Sequence, residues 1–326
     1  VAAAEPHVTK VATVADIAGA QRAVSQVFVD EKVRDYIVDL VRATRDPKGA
    51  GAPDLEGVWS SQTATPLERP PVFDGPTTTV EKAAAFAIAS PEAFQADNSD
   101  GVGARVSEWW EFGAHMTSFN GEIRTALIID PADGKMPYSE AGRAKLRQLQ
   151  AEVFASFDGP EARPATERCL AGGSGATGAP LFVPRYNANY QIVQTPDYLV
   201  LSMEAGREAR IIRINAARLP PVMRRWMGDS VAHWDGDTLV VETLGFVPGD
   251  AFKPSAPILV GANARVTERF TRIAPDEILY RYTVDDPETF TQPWTAEMIL
   301  HATTSRMFEY ACHEANYSLE GMLAGG

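Results

Sequence analysis

No apolar run in this chain approaches the roughly 18–20 residues that a membrane-spanning helix requires. The longest, Ala83–Ala89, is short and Ala-rich and reads as part of a helix, so no membrane span is expected. Basic residues are outnumbered, with 30 Lys and Arg against 43 Asp and Glu and a net charge of −13. Such a balance repels polyphosphate unless the basic residues cluster, and the pairs at Arg143–Arg147 and Arg224–Arg225 are too sparse for a nucleic-acid track. Nucleic acid is therefore not an expected partner. No G-x-x-x-x-G-K-[ST] phosphate loop occurs, which excludes P-loop ATPase chemistry. The five histidines (His7, His115, His233, His301 and His313) include no H-x-H or H-E-x-x-H pair. A metal site would need assembly from distant strands, and no metal or cofactor is expected. Only two cysteines are present, Cys169 and Cys312, a count that permits one disulfide or two buried thiols. The chain opens at Val1 rather than Met, which suggests a processed N-terminus and fits export.

Residues 1–52 read as a helical hairpin and linker. Thr13 and Asp16 can cap a first helix with Ile17, Ala20, Val24, Val27 and Phe28 at helical spacing. Asp30 can cap a second, and Asp46-Pro47 followed by a Gly-containing stretch ends it. Two helices bury too little alone, so this segment should dock on its own domain or a neighbouring subunit.

Residues 53–326 read as one β-rich domain. Leu55–Ser60 starts a strand, Thr78 and Glu81 form a capping-box pattern, and Ile123–Asp130 reads as one strand. Ser139 caps a helix with Leu146, Leu149, Val153 and Phe157 inward. Nine strand-like segments then follow: Tyr190–Thr195, Tyr198–Met203, Ala209–Ile214, Asp229–Trp234, Thr238–Phe246, Arg265–Ile273, Ile278–Asp285, Trp294–His301 and Met307–Cys312. Short gaps favour antiparallel neighbours. The fold class is mainly β: an antiparallel meander, as a lipocalin-like barrel or a curled sheet, with peripheral helices. Asp235-Gly236 predicts a two-residue type I′ hairpin, with Leu239 and Val241 sharing a face with Trp234 and Ala232.

Two resemblances follow from longer segments. VDEKV, YIVDLV and ATR within residues 11–47 resemble the helical lid of MoxR-type AAA+ ATPases, which are cytoplasmic. DLEGVW, TPLERP, RTALIIDPADGKMP, WMGDSVAHWDGDTLVVETLGF, ERFTRI, YRYTVDDPETFTQPWTAE and FEYACHEANY resemble a large family of secreted bacterial proteins without an assigned activity, over nearly all of residues 54–326. That resemblance implies a periplasmic or secreted location and supplies no mechanism.

Several motifs invite chemistry. Gly173–Gly178 satisfies G-x-G-x-x-G, but the prolines after it block the helix that a dinucleotide needs. Gly228-Asp229-Ser230 matches an esterase nucleophile block, yet Ser230 leads into a hairpin and reads as structural. Asp235-Gly236-Asp237 lacks the other ligands of a calcium loop. Neighbouring Asp285 and Asp286 should face opposite ways, leaving Asp285 as a pocket acid near Tyr282 and Trp294. In Cys312-His313-Glu314, the plainer reading is a strand end tied to the Cys169 loop; the sharper one pairs His313 with Glu314 for acid–base work.

The leading expectation is an extracytoplasmic small-molecule-binding domain with a pocket at one end of the meander, using Trp294, Tyr282 and Trp226. One alternative is a hydrolase or lyase acting on a small aromatic or glycan substrate through His233 or His313 with Asp285 or Glu314. Another is a structural or self-assembling envelope protein.

Overall fold

The computed structural model describes residues 52–97, 113–153 and 158–324, apart from short breaks between 161 and 208, the stretch 248–259, and residues 315–316. The expected helical hairpin and its MoxR-like segment lie outside the described residues. The G-x-G-x-x-G segment does too, except for Gly178. The chain divides into two units, Val1–Asp46 and Pro47–Gly326, and every described residue belongs to the second.

Its body is a closed barrel of nine strands. In chain order they are β1 (Gly57–Ser60), β6 (Asn189–Gln194), β7 (Tyr198–Met203), β8 (Ala209–Ile214), β9 (Asp229–Asp235), β10 (Thr238–Leu244), β11 (Arg265–Ala274), β12 (Glu277–Asp285) and β13 (Trp294–Ala302). The ring follows that order and closes where β1 pairs with β13, Trp59 opposite Ala302. A tenth strand, β5 (Ile128–Asp130), adds to β13 outside the ring. Two-residue strands β2 (Thr77–Thr78) and β3 (Ser118–Phe119) flank β4 (Glu122–Arg124) in a separate small sheet. Helices α1 (Val80–Asp97), α2 (Glu140–Val153) and α3 (Tyr317–Ala324) complete the elements.

Strict alternation builds the core. Ile192, Leu201, Ile212, Ala232, Val241, Phe270, Tyr280 and Met298 all point inward and are buried. The outward positions between them include Arg269, Arg281 and Thr283. No helix among the described residues is long and apolar enough to cross a membrane.

Nine is an odd number, so directions cannot alternate all the way round, and one neighbouring pair must be parallel. That pair is β8 and β9, with only Arg213↔Val231 and Ile214↔Ala232 in register. Parallel neighbours need a crossover of a dozen or more residues, and segment 215–228 supplies it. The fold is therefore a meander with one crossover rather than a pure up-and-down barrel.

Four local expectations change. Met307–Cys312 is not a strand, because ring closure leaves β13 no free edge; β1 and β5 share it. The tail is held instead by Glu204, whose carboxylate accepts from the Phe308 amide at 3.1 Å, and by a Cys169–Cys312 disulfide. Residues 123–130 split between β4 and β5, with the Leu127 amide donating to Pro66 O at the break. The α1 cap is Thr79, one residue after the expected Thr78: its hydroxyl accepts from the Lys82 amide at 3.3 Å. Glu81's own amide and the Thr79 hydroxyl also hold the exposed Glu81 carboxyl below its ordinary value.

The fourth change concerns the β9–β10 hairpin. Asp235 pairs with Thr238, so the two-residue loop is Gly236-Asp237. Only Gly236 has positive φ, at 58°, and type I′ needs it at both loop positions; glycine first is the type II′ arrangement. The face assignment survives because the slip moves both strands by one residue, leaving Trp234, Ala232, Leu239 and Val241 on one side. At Ser139 the cap is as expected, its hydroxyl accepting from the Gly142 amide at 2.9 Å, with Leu149 buried.

The disulfide closes a sequence separation of 143 residues, so it constrains the unfolded chain strongly. Cys312→Ser should lower unfolding stability by about 2–5 kcal/mol in urea titration, with Cys169→Ser behaving alike.

Candidate functional site

Two regions of the barrel concentrate polar chemistry. The first is inside it. Arg210, on β8, points inward in phase with Ile212 and Ile214 and is 2% exposed. Its guanidinium donates to Ser230 Oγ of β9 at 3.0 Å, to Thr243 Oγ1 of β10 at 2.9 Å, and to both carboxylate oxygens of Glu268 on β11. Tyr280 of β12 donates its hydroxyl to Glu268 Oε1 at 2.7 Å and accepts from the Leu181 amide at 2.8 Å. Ser230 and Thr243 share a further hydrogen bond of 2.9 Å.

Burial alone would lower the Arg210 pKa, but the Glu268 carboxylate outweighs it and holds the guanidinium above its ordinary value. Burial, reinforced by the Glu268 charge, pushes the Tyr280 and Tyr282 phenols up. These groups are fixed and enclosed, and Leu181 covers the Tyr280 hydroxyl. The arrangement stabilises and orients strands; it presents nothing to solvent.

The second region lies at the barrel mouth. A cleft of about 250 Å³ opens between the 215–228 crossover and the β10–β11 connection. Leu219, Pro220, Pro221, Met223 and Leu244 give it an apolar lining, with Arg218, Arg224 and Asp229 as its charged groups. Asp229, at the start of β9, is buried and pins the crossover. Its Oδ1 accepts from Arg213 at 2.7 Å and its Oδ2 from the Leu219 amide at 3.0 Å. Arg218 donates to Asp229 O at 3.1 Å and to Glu242 Oε2 at 2.8 Å. Arg224 ties the opposite wall, donating to Phe246 O at 3.0 Å, Ala262 O at 2.6 Å and Asn263 Oδ1 at 3.1 Å. Polar bonds thus hold an apolar-lined slot open.

The residues expected to act are placed separately. Trp294 and Tyr282 do meet, with ring centroids 5.7 Å apart in an edge contact, but both are buried in the barrel core. The Trp294 indole N–H is buried without a hydrogen-bond partner among the described residues. Trp226 lies on the crossover, 43% exposed, outside the cleft lining. His233 points outward from β9, opposite Val240. Asp285 ends β12 on the outward face, opposite Arg265. His313 and Glu314 are exposed beyond Cys312. No hydrogen bond or ion pair among the described residues joins any two of His233, Asp285, His313 and Glu314. Asp286 does turn from Asp285 and is buried, accepting from the Gly261 amide at 2.8 Å. Among the described residues, no three His, Cys, Asp or Glu side chains gather to hold a metal ion.

The Gly228-Asp229-Ser230 motif resolves into three structural tasks. A Cβ on Gly228 would sit 2.9 Å from Leu244 O, and its φ is 71°. Asp229 anchors the crossover, and Ser230 joins the interior network. The interior pair had a sequence signal: Arg210 and Glu268 interrupt the inward apolar phase of β8 and β11 with opposite charges. The cleft had none, because its walls are loops brought together by ring closure.

Compared with family models, curated proteins and solved structures, the chain shows no match.

Arg210→Met strands the Glu268 carboxylate, and should cost about 3–5 kcal/mol of unfolding stability. Arg210→Met with Glu268→Leu should recover much of that loss in the same denaturant titration. Raised phenol values mean the unfolded chain loses its protons first as pH climbs. The stability contributed by neutral Tyr280 and Tyr282 is thus complete below about pH 10 and falls above it. Tyr282→Phe should flatten that alkaline decline in melting temperature.

Proposed function

We propose that this domain binds a small amphipathic ligand, an apolar body carrying an anionic group, in the cleft at the barrel mouth. The observation that carries the reading is the contrast between a filled interior and an apolar-lined slot held open by committed polar bonds. Trp59, Tyr190, Phe270, Tyr280 and Trp294 occupy the barrel's inside at 1% exposure or less, where a ligand-carrying barrel would keep space. At the mouth, Leu219, Met223 and Leu244 offer apolar surface beside two guanidinium groups. A guanidinium suits a carboxylate or sulfonate, and the apolar walls suit a flat or aliphatic body.

An oxidising, extracytoplasmic compartment fits this reading. The Cys169–Cys312 disulfide supports it, since reducing cytosol keeps most thiols free. The resemblance to secreted bacterial proteins points the same way. Acid–base hydrolysis or lysis is less favoured, because it needs His233 or His313 within reach of a carboxylate.

The test is a fluorescence titration with 1-anilinonaphthalene-8-sulfonate, an apolar anion. Leu219→Asp should weaken Kd by about tenfold or more, because it strips apolar surface from the wall and sets a negative charge there. Ile273→Asp, on β11 and outside the cleft lining, should leave Kd unchanged. Equal Kd for wild type and Leu219→Asp would overturn the proposal.

A further inference from the structure

The crossover that walls the cleft also carries an apolar tip in open water. Pro220, Pro221, Val222 and Met223 form a turn closed by the Met223 amide donating to Pro220 O at 2.8 Å. Val222 is 86% exposed, Met223 54% and Trp226 43%. This is a fixed tip and not a loose one. Two prolines stiffen it, Asp229 and Arg224 anchor its two sides, and Arg225 binds Gly245 O and Val247 through its backbone.

Charge accompanies it. Between Ala209 and Gly228 the sequence holds Arg210, Arg213, Arg218, Arg224 and Arg225 and no carboxylate, in a chain of net charge −13. Arg210 is consumed inside the barrel, and Arg213 and Arg218 are paired with Asp229 and Glu242. Arg224 bonds only to neutral acceptors, and Arg225 has no side-chain partner among the described residues. Among the described residues, then, two cations without an ion-pair partner flank the apolar tip.

We infer that this tip docks the domain peripherally on an anionic lipid surface, with Val222 and Trp226 entering the interface and Arg224 and Arg225 facing the headgroups. Tryptophan suits the headgroup boundary, and arginine keeps its charge in the polar layer while its stem lies against apolar material. Repulsion from the chain's net negative charge does not forbid this. Screening limits it to about 8 Å at physiological ionic strength, so the local cations govern close approach. The shape also favours lipid. A protein partner needs roughly 800 Å² per side, whereas a convex single turn can insert shallowly with far less.

The tip shares Met223 and Arg224 with the cleft lining, but Val222 and Trp226, the residues that separate the two readings, lie outside it. Its test is co-sedimentation of the full chain with vesicles of phosphatidylcholine alone or mixed with phosphatidylglycerol. Binding is expected only to the mixed vesicles, weakened by salt. Val222→Glu should lower the partition coefficient by about tenfold or more, and Trp226→Glu likewise. Both should keep the wild-type Kd for 1-anilinonaphthalene-8-sulfonate, which shows that the fold and the cleft survive. Three results would overturn the inference: equal partition of Val222→Glu and wild type, equal binding to neutral vesicles, or a concentration-dependent dimer that Val222→Glu abolishes. Retention on immobilised polyglutamate without vesicle binding would also overturn it, assigning the tip to an acidic protein instead.

Discussion

The barrel depends on one buried ion pair. Arg210 leaves β8 and bonds in turn to β9, β10 and β11, and Glu268 passes the connection to Tyr280 of β12. Its position matters as much as its strength. The β8–β9 junction is the ring's parallel seam and has only two residue pairs in register. A two-pair ladder is weak, and Arg210 reinforces it from within by binding across it. Burying two charges is costly unless the geometry is complete. Here both Glu268 oxygens accept, and Ser230 and Thr243 take two further guanidinium donors. A ring of different strand number or register would leave some of these groups unpaired, so a complete network also favours this ring over alternatives.

Most of the β body was legible in the sequence, for a plain reason. Inward and outward residues differ in polarity at period two, and segments such as YLVLSM and ILYRYTVD reveal both strand and face. What failed shares a different cause. The hairpin at residues 235–237 slipped because Asp-Gly is compatible with two placements of the loop, and only the pairing of Thr238 with Asp235 selects one. Met307–Cys312 has strand-like composition, but a strand also needs an edge, and closure by β1 removed it. Edge availability is a property of the whole ring, invisible to any local window.

The candidate sites divide similarly. Trp294 and Tyr282 were correctly read as neighbours on adjoining strands, yet their aromatic character served packing: Phe290, Trp294, Tyr282, Tyr280 and Phe270 form a continuous run of ring contacts. His233, Asp285, His313 and Glu314 attracted attention by residue type alone. Type without convergence is not chemistry, and strand geometry spreads these four over outward faces and the tail. Phase would have been the better guide, because a charge on an inward apolar phase must find a partner, and Arg210 and Glu268 found each other.

Parity links this interior to the surface. An odd ring requires a parallel pair, and a parallel pair requires a crossover; the crossover then forms one wall of the mouth cleft and carries the exposed tip. Residues 228–230 join the two levels. Ser230 faces in and accepts from Arg210, while Asp229, its neighbour, faces out and fixes Leu219 and Arg213. Gly228 lets the chain pass against Leu244 closely enough for both. A change that displaced Ser230 would therefore shift Asp229 by way of one peptide unit, and with it the cleft wall. The interior pair thus sets the position of the mouth as well as the closure of the ring.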